Sequence, residues 1–226
     1  MSRGVSLAQF LLAAALALSV LSSPALANFP QGYVFFQRTA VNNILGDNYS
    51  NGDFTASDET LQNVGGVPLW IEAQWSRNRN ESLVVSHDSL NDLNFVAINM
   101  TDRSTIFTTE LTAVAPNTAA RTIDVAYESV SGDGLIVWDT SNVDTTISYS
   151  IWNGTALSFN GSVNLPTLST TRRFLRLVPR SSTDEIMLIY NDALSDIGAI
   201  LWNGTDWQSA QYVTASGRAS TNRRPM

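Results

Sequence analysis

Between Ile123 and Glu128 apolar and polar residues alternate, the period of a strand with one buried face. Ser131-Gly132-Asp133 follows as a turn, and Leu135-Ile136-Val137-Trp138 is then apolar on both faces. A loop from Asp139 to Asp144 leads to a third strand, Ile147 to Trp152. Asn153-Gly154 marks a turn, and Leu157 to Leu165 reads as a fourth strand. The same order returns downstream, with strands predicted at Phe174 to Val178, Glu185 to Tyr190, Ile197 to Trp202 and Trp207 to Val213. An earlier, diverged unit places them at Trp70 to Trp75, Ser82 to Val85, Asn94 to Asn99 and Ile106 to Val114.

The units are also similar in sequence. Trp152-Asn153-Gly154-Thr155 recurs as Trp202-Asn203-Gly204-Thr205, 50 positions later. Ser169-Thr170-Thr171-Arg172-Arg173 recurs as Ser220-Thr221-Asn222-Arg223-Arg224, 51 positions later. A fixed period of this size points to a propeller or a solenoid. Four short strands per unit suit a propeller blade. A second strand that is apolar on both sides suits burial between two neighbouring blades, since a one-faced antiparallel strand would alternate. Asn-Gly reads as a two-residue hairpin turn with positive φ at both central residues, and the Trp before it as packing between blades. The expected fold is all-β, a propeller-like array of four-stranded antiparallel blades; a β-sandwich or β-solenoid is the rival.

The expected organisation is a signal peptide at 1–27, a partial blade of outer strands at 28–66, and blades at 67–116, 117–167 and 168–216. Residues 217–226 begin a further repeat. In the partial blade, Tyr33 to Gln37 resembles a third strand and Asp53 to Leu61 a fourth. The expectation is an incomplete or truncated array, with closure by fewer blades than usual as the alternative, because closed rings usually have 4–8 blades. Its unpaired edges would invite association.

Charge and targeting signals narrow the function. Arg3, the apolar run Phe10 to Leu21 and the small-residue site Ala25-Leu26-Ala27 form a secretory signal. The run is too short to span a bilayer, so no membrane insertion is expected after cleavage. The expectation is a secreted, periplasmic or cell-surface protein. The net charge of -7 argues against nucleic acid as a partner. There is no Cys, so burial without disulfides must stabilise the fold. The 44% hydrophobic content is enough for a core.

The stretch Ile186 to Trp207, IMLIYNDALSDIGAILWNGTDW, is similar to blades of secreted propellers with a Trp-(Asp/Asn)-Gly-x-x-Trp hairpin. These include bacterial surface repeat proteins and fucose-binding lectin propellers of the fungal fruiting-body type. The resemblance covers Ile123 to Met226 and, more distantly, Trp70 to Val114. It implies a glycan ligand, held in such lectins by an Arg, a Glu and aromatic residues between blades. In the middle unit Leu157 or Phe159 replaces the second Trp of the hairpin.

Each candidate site has a structural alternative. Trp152, Trp202 and Trp207 are candidates for stacking on a sugar, against packing between blades. Arg172 and Arg173, in a series with Arg121, Arg223 and Arg224, are candidates for an anionic group, against salt bridges to the acidic loops. Those loops pair Asp88 with Asp92, Asp139 with Asp144, and Asp192 with Asp196. Asp139, Asp144, Asp192 and Asp196 are calcium candidates, against ordinary turn chemistry; no other cofactor is implied. His87 is the only His, with no second ligand or nucleophile in view. Glu72, Glu128 and Glu185 recur near the first two strands, with nothing in the sequence to mark a catalytic pair. Six Asn-x-Ser/Thr sequons, at Asn48, Asn80, Asn99, Asn153, Asn160 and Asn203, would matter in a eukaryotic secretory pathway.

The function expected is a secreted binding module with a glycan or an extracellular protein as ligand, multivalent through repetition. A fragment of a polysaccharide-acting hydrolase or lyase is the alternative, and a purely structural array a third reading.

Overall fold

The computed structural model describes residues 32–50, 52–54, 58–76, 78–112, 120–140, 145–165, 172–192 and 196–214. The expected signal peptide, 1–27, and the residues from 217 onward lie outside them. The described residues form strands, turns and loops, with no helix. Contacts divide the chain into a smaller unit, Met1–Tyr33 with Asn48–Ala56, and a larger one, Val34–Asp47 with Ser57–Met226.

Three four-stranded antiparallel sheets lie in the larger unit, each a meander in chain order. The first contains β5 (Pro68–Ser76), β6 (Glu81–Asp88), β7 (Leu93–Asn99) and β8 (Thr105–Thr112). The second contains β9 (Ile123–Tyr127), β10 (Gly134–Trp138), β11 (Thr146–Trp152) and β12 (Leu157–Asn164). The third contains β13 (Arg172–Pro179), β14 (Ile186–Asp192), β15 (Ile197–Trp202) and β16 (Gln211–Thr214). These are the expected strands, apart from small shifts at their ends. The exception is β16, which begins at Gln211; Trp207 makes only an isolated bridge to Trp202.

The N-terminal region departs from expectation. It contains β1 (Gly32–Phe36), β2 (Asn43–Ser50), β3 (Asp53–Phe54) and β4 (Glu59–Asn63). β2 was not expected, because NILGDNYS holds a single apolar pair, Ile44-Leu45, amid Asn, Gly and Asp. Both residues of that pair are buried. In the larger unit Asn43–Gly46 pairs with Glu59–Asn63; in the smaller one Tyr49–Ser50 pairs with Asp53–Phe54.

The sheets stack face to face. Leu83, Val85, Leu93, Phe95 and Ala97 of the first pack against Ile123, Val125, Ile136, Trp138 and Trp152 of the second. The opposite face of the second, Ala126, Leu135, Val137 and Ile147, packs against Leu175, Leu177, Leu188, Tyr190 and Trp202 of the third. Accordingly β6, β9 and β10 are buried at every position, so β9, whose alternation predicts one buried face, is covered on both. β14 is not: Ile186, Leu188 and Tyr190 are buried, whereas Met187 on the other face is 36% exposed. Its sequence is as apolar as that of β10, but no sheet among the described residues covers that face. The first strands of successive sheets are neighbours. Between the second and third, the Leu175 amide donates to the Arg121 carbonyl at 3.1 Å.

The Asn-Gly turn also differs from the expected form. Gly154 and Gly204 have φ of 95° and 96°, but neither Asn153 nor Asn203 has positive φ. Trp152 pairs with Leu157 and Trp202 with Trp207, leaving a four-residue loop in each case. Asn203 Oδ1 accepts the amides of Thr205 (2.9 Å) and Asp206 (2.8 Å), and Asn153 Oδ1 accepts those of Thr155 and Ala156. The Asn therefore acts through its side chain as an Asx-type cap, and only the Gly needs the left-handed region.

Candidate functional site

The predicted site residues divide by burial. Trp152 and Trp202 are 0% and 1% exposed, so neither presents a ring face to a ligand. Each indole instead bolts its sheet to the preceding one. Trp152 Nε1 donates to Glu81 Oε1 at 3.0 Å, where Tyr127 Oη also donates at 3.1 Å. Trp202 Nε1 donates to Glu128 Oε1 at 2.6 Å. Burial pushes the Glu128 carboxyl above its usual range, while the Ser131 and Trp202 hydrogen bonds oppose that shift.

Arg172 is likewise structural. Its Nε and NH2 donate to the Asp139 carboxylate at 2.8 and 2.7 Å, and NH2 also donates to the Thr146 carbonyl. Both partners are nearly inaccessible, at 2% and 1% exposure. This is a salt bridge to an acidic loop between two sheets, and it also removes Asp139 as a calcium ligand. Arg173, next in sequence, is exposed. Asp144 lies outside the described residues, as does the Asp192 side chain; Asp196 is half-buried. In the first sheet the corresponding loop is locked by Asp88, which accepts the amides of Gly66, Leu90 and Asp92 and the Asn94 side chain. No group of three or more potential ligands gathers among the described residues. His87 is buried, and desolvation lowers its pKa against the opposing pull of Asp88 and Asp92.

Two places combine exposure with chemistry. One is the rim of the interface between the second and third sheets. There Tyr149 of β11 stands 5.8 Å from Trp202 and 5.7 Å from Trp207, ring centre to ring centre, and edge-on to Trp207. Tyr149 and Trp207 are half-buried. Trp207 Nε1 is buried without a hydrogen-bond partner. Burial, and secondarily Asp206, raises the Tyr149 pKa. At the corresponding interface between the first two sheets, Phe95, Phe107, Trp152 and Leu157 pack together. Phe95 stands where Tyr149 does and Leu157 where Trp207 does, so that interface lacks the phenol and the free indole N–H.

The second place lies along the first strands. Glu72 pairs with Val85, Asp124 with Val137 and Arg176 with Ile189. The three therefore occupy one equivalent position in successive sheets. Arg121 joins them, ion-paired with Glu72 and 4.0 Å from Asp124. Arg176 NH1 lies 3.7 Å from Glu72 and 3.8 Å from Asp124. Asp124 Oδ2 accepts the Leu177 amide at 2.6 Å. Burial raises the Glu72 pKa to about 7, against the opposing pull of Arg121 and Arg176. Burial also raises Asp124, with the Leu177 amide opposing. This cluster was missed because each unit contributes only one or two of its charges. The available signal was spacing: Glu72, Asp124 and Arg176 follow one another at 52 residues (124 − 72 and 176 − 124).

Known structures share this architecture. Aleuria aurantia lectin, as a point mutant in complex with alpha-methyl-L-fucoside, is similar with a TM-score of 0.54 and 14% identity, over 84% of this chain and 60% of that one. A structure of the same lectin described as a six-bladed β-propeller with a novel fucose recognition mode gives 0.53 and 13%, over 82% and 60%. A triple mutant of AofleA from Arthrobotrys oligospora gives 0.51 and 11%, over 81% and 54%. The chain thus spans about 60% of the length of the first of these lectins. The likeness establishes the propeller fold, here built of four-stranded antiparallel sheets. No protein-family model matches the chain, and no curated protein does.

Proposed function

We propose that this chain is a secreted carbohydrate-binding propeller module whose binding surface is the rim of the interface between the second and third sheets. The observation that carries the reading is the half-buried aromatic wall of Tyr149 and Trp207, with an indole N–H that has no partner in the protein. A ring face suits the apolar face of a pyranose, and a buried donor without an acceptor is a liability that a ligand hydroxyl relieves. The propeller lectins of the same fold bind fucosides, which makes a fucosylated glycan the first ligand to try. Secretion rests on Arg3, the Phe10 to Leu21 run and Ala25-Leu26-Ala27.

Calorimetric titration with alpha-methyl-L-fucoside and a fucosylated glycan panel tests the reading. Trp207→Ala abolishes binding, and Trp207→Phe, which keeps a ring but not the N–H, weakens it about tenfold, as expected for one hydrogen bond in a desolvated site. Arg173→Ala leaves binding unchanged. Wild-type protein that binds no glycan on the panel, or a folded Trp207→Ala variant that binds as the wild type does, refutes the assignment.

A further inference from the structure

The charges on the first strands are not accounted for by the aromatic rim. Arg121 is committed: it is ion-paired with Glu72, and its guanidinium lies 5.7 Å from the centre of the Phe174 ring. Arg176 is not. Its side chain is 39% exposed, both acidic neighbours are beyond hydrogen-bonding distance, and it makes no side-chain hydrogen bond among the described residues. Asp124 is 1% exposed, and its Oδ1 has no hydrogen-bond donor. Two guanidinium groups thus face two carboxylates with one close ion pair between them, and Arg176, partly exposed, keeps its hydrogen-bond donors open. A planar guanidinium with open donors matches a carboxylate bidentately.

We propose that Arg176, with Arg121 beside it, binds the carboxylate of an acidic sugar at the first strands of the three sheets, and that Glu72 competes with that ligand for both guanidinium groups. The choice of a sugar as carrier rests on the carbohydrate reading above; the anion site itself does not. When Glu72 is ionised the four charges cancel. When it is protonated, Asp124 alone opposes Arg121 and Arg176, and the cluster is net positive. The charged groups acting on Glu72 are Arg121 and Asp124 of the second sheet and Arg176 of the third. Its partner on β6 is the uncharged Val85, and burial lowers the pKa of His87 on that strand. With a Glu72 pKa of about 7, the protonated fraction falls about tenfold between pH 6 and pH 8. The apparent affinity for an anion falls by the same factor when only the protonated form accepts it.

The test is titration of the full chain with sodium glucuronate, which stays ionised throughout, and with glucose, at pH 6 and pH 8. Glucuronate binds about tenfold more tightly at pH 6, in line with the protonated fraction, and glucose does not bind at this site. Arg176→Ala abolishes glucuronate binding. Glu72→Gln, close to isosteric, retains it and removes its pH dependence. Trp207→Ala leaves it intact, which separates this site from the aromatic rim. No glucuronate binding at pH 6, binding that Arg176→Ala does not affect, or binding lost in Trp207→Ala overturns the proposal. Fucoside binding without glucuronate binding overturns the anion site and leaves the aromatic rim standing.

Discussion

Replacing Trp202 with Phe removes one indole N–H from a buried interface and keeps an aromatic ring in place. Trp202 is 1% exposed and Glu128 5%, and the 2.6 Å bond between them crosses from the third sheet to the second. After the substitution Glu128 Oε1 has no described donor; Oε2 keeps the Ser131 hydroxyl. A hydrogen bond to a charged acceptor contributes about 1.5–3 kcal/mol, and the smaller ring adds about 1 kcal/mol of lost packing. Trp152→Phe supplies the control. It removes an equivalent indole, but Glu81 Oε1 retains the Tyr127 hydroxyl, so its expected cost is about 1–2 kcal/mol. The loss of ring volume is common to both variants, and the difference reports the orphaned carboxylate. Urea unfolding with unchanged m-values measures it. The Trp202 bond also opposes the upward shift of the Glu128 pKa, so the Trp202→Phe penalty shrinks as pH falls and that carboxyl takes up a proton. Equal costs for the two variants, or a larger cost for Trp152→Phe, would refute the account of these indoles as carboxylate-anchored bolts.

Arg172→Ala removes the guanidinium from the buried Asp139 carboxylate, and is expected to cost about 3–5 kcal/mol in chemical unfolding; the exposed neighbour Arg173→Ala changes stability by less than about 0.5 kcal/mol. Glu72 makes stability pH-dependent. Its pKa rises from 4.5 to about 7 on folding, so between those values the folded chain holds a proton that the unfolded chain has released. Stability is therefore greatest below pH 4.5 with respect to this group and is lost as pH rises toward 7, by at most about 3 kcal/mol and less in proportion to its residual solvation. Denaturation midpoints of Glu72→Gln compared with wild type between pH 4.5 and 8 check this, and a difference that does not vary with pH would contradict it.

Strands, turns and the order of the meanders were legible in the sequence because each is encoded over a few adjacent residues. Alternation marked β9, the doubly apolar LIVW marked β10, and Trp-Asn-Gly marked the end of β11 and of β15. Local rules failed where a strand lacks a pattern, as in β2. They also failed where a side chain replaces a backbone conformation, as in the Asn153 and Asn203 loops. The one-sidedness of β14 was not readable either, since apolar residues on two faces do not say whether a neighbouring sheet is present.

What the sequence determined by itself is a set of repeated four-stranded units, because strand period and turn chemistry act within a unit. Which side chains meet was decided only when the sheets stacked. Glu81 meets Trp152, Glu128 meets Trp202, and Arg172 meets Asp139 across interfaces between units. Stacking likewise brings Glu72, Arg121, Asp124 and Arg176 within a few ångströms, although they lie on three different sheets. The physical reason is that Coulomb and hydrogen-bonding interactions act over a few ångströms of space and take no account of separation along the chain.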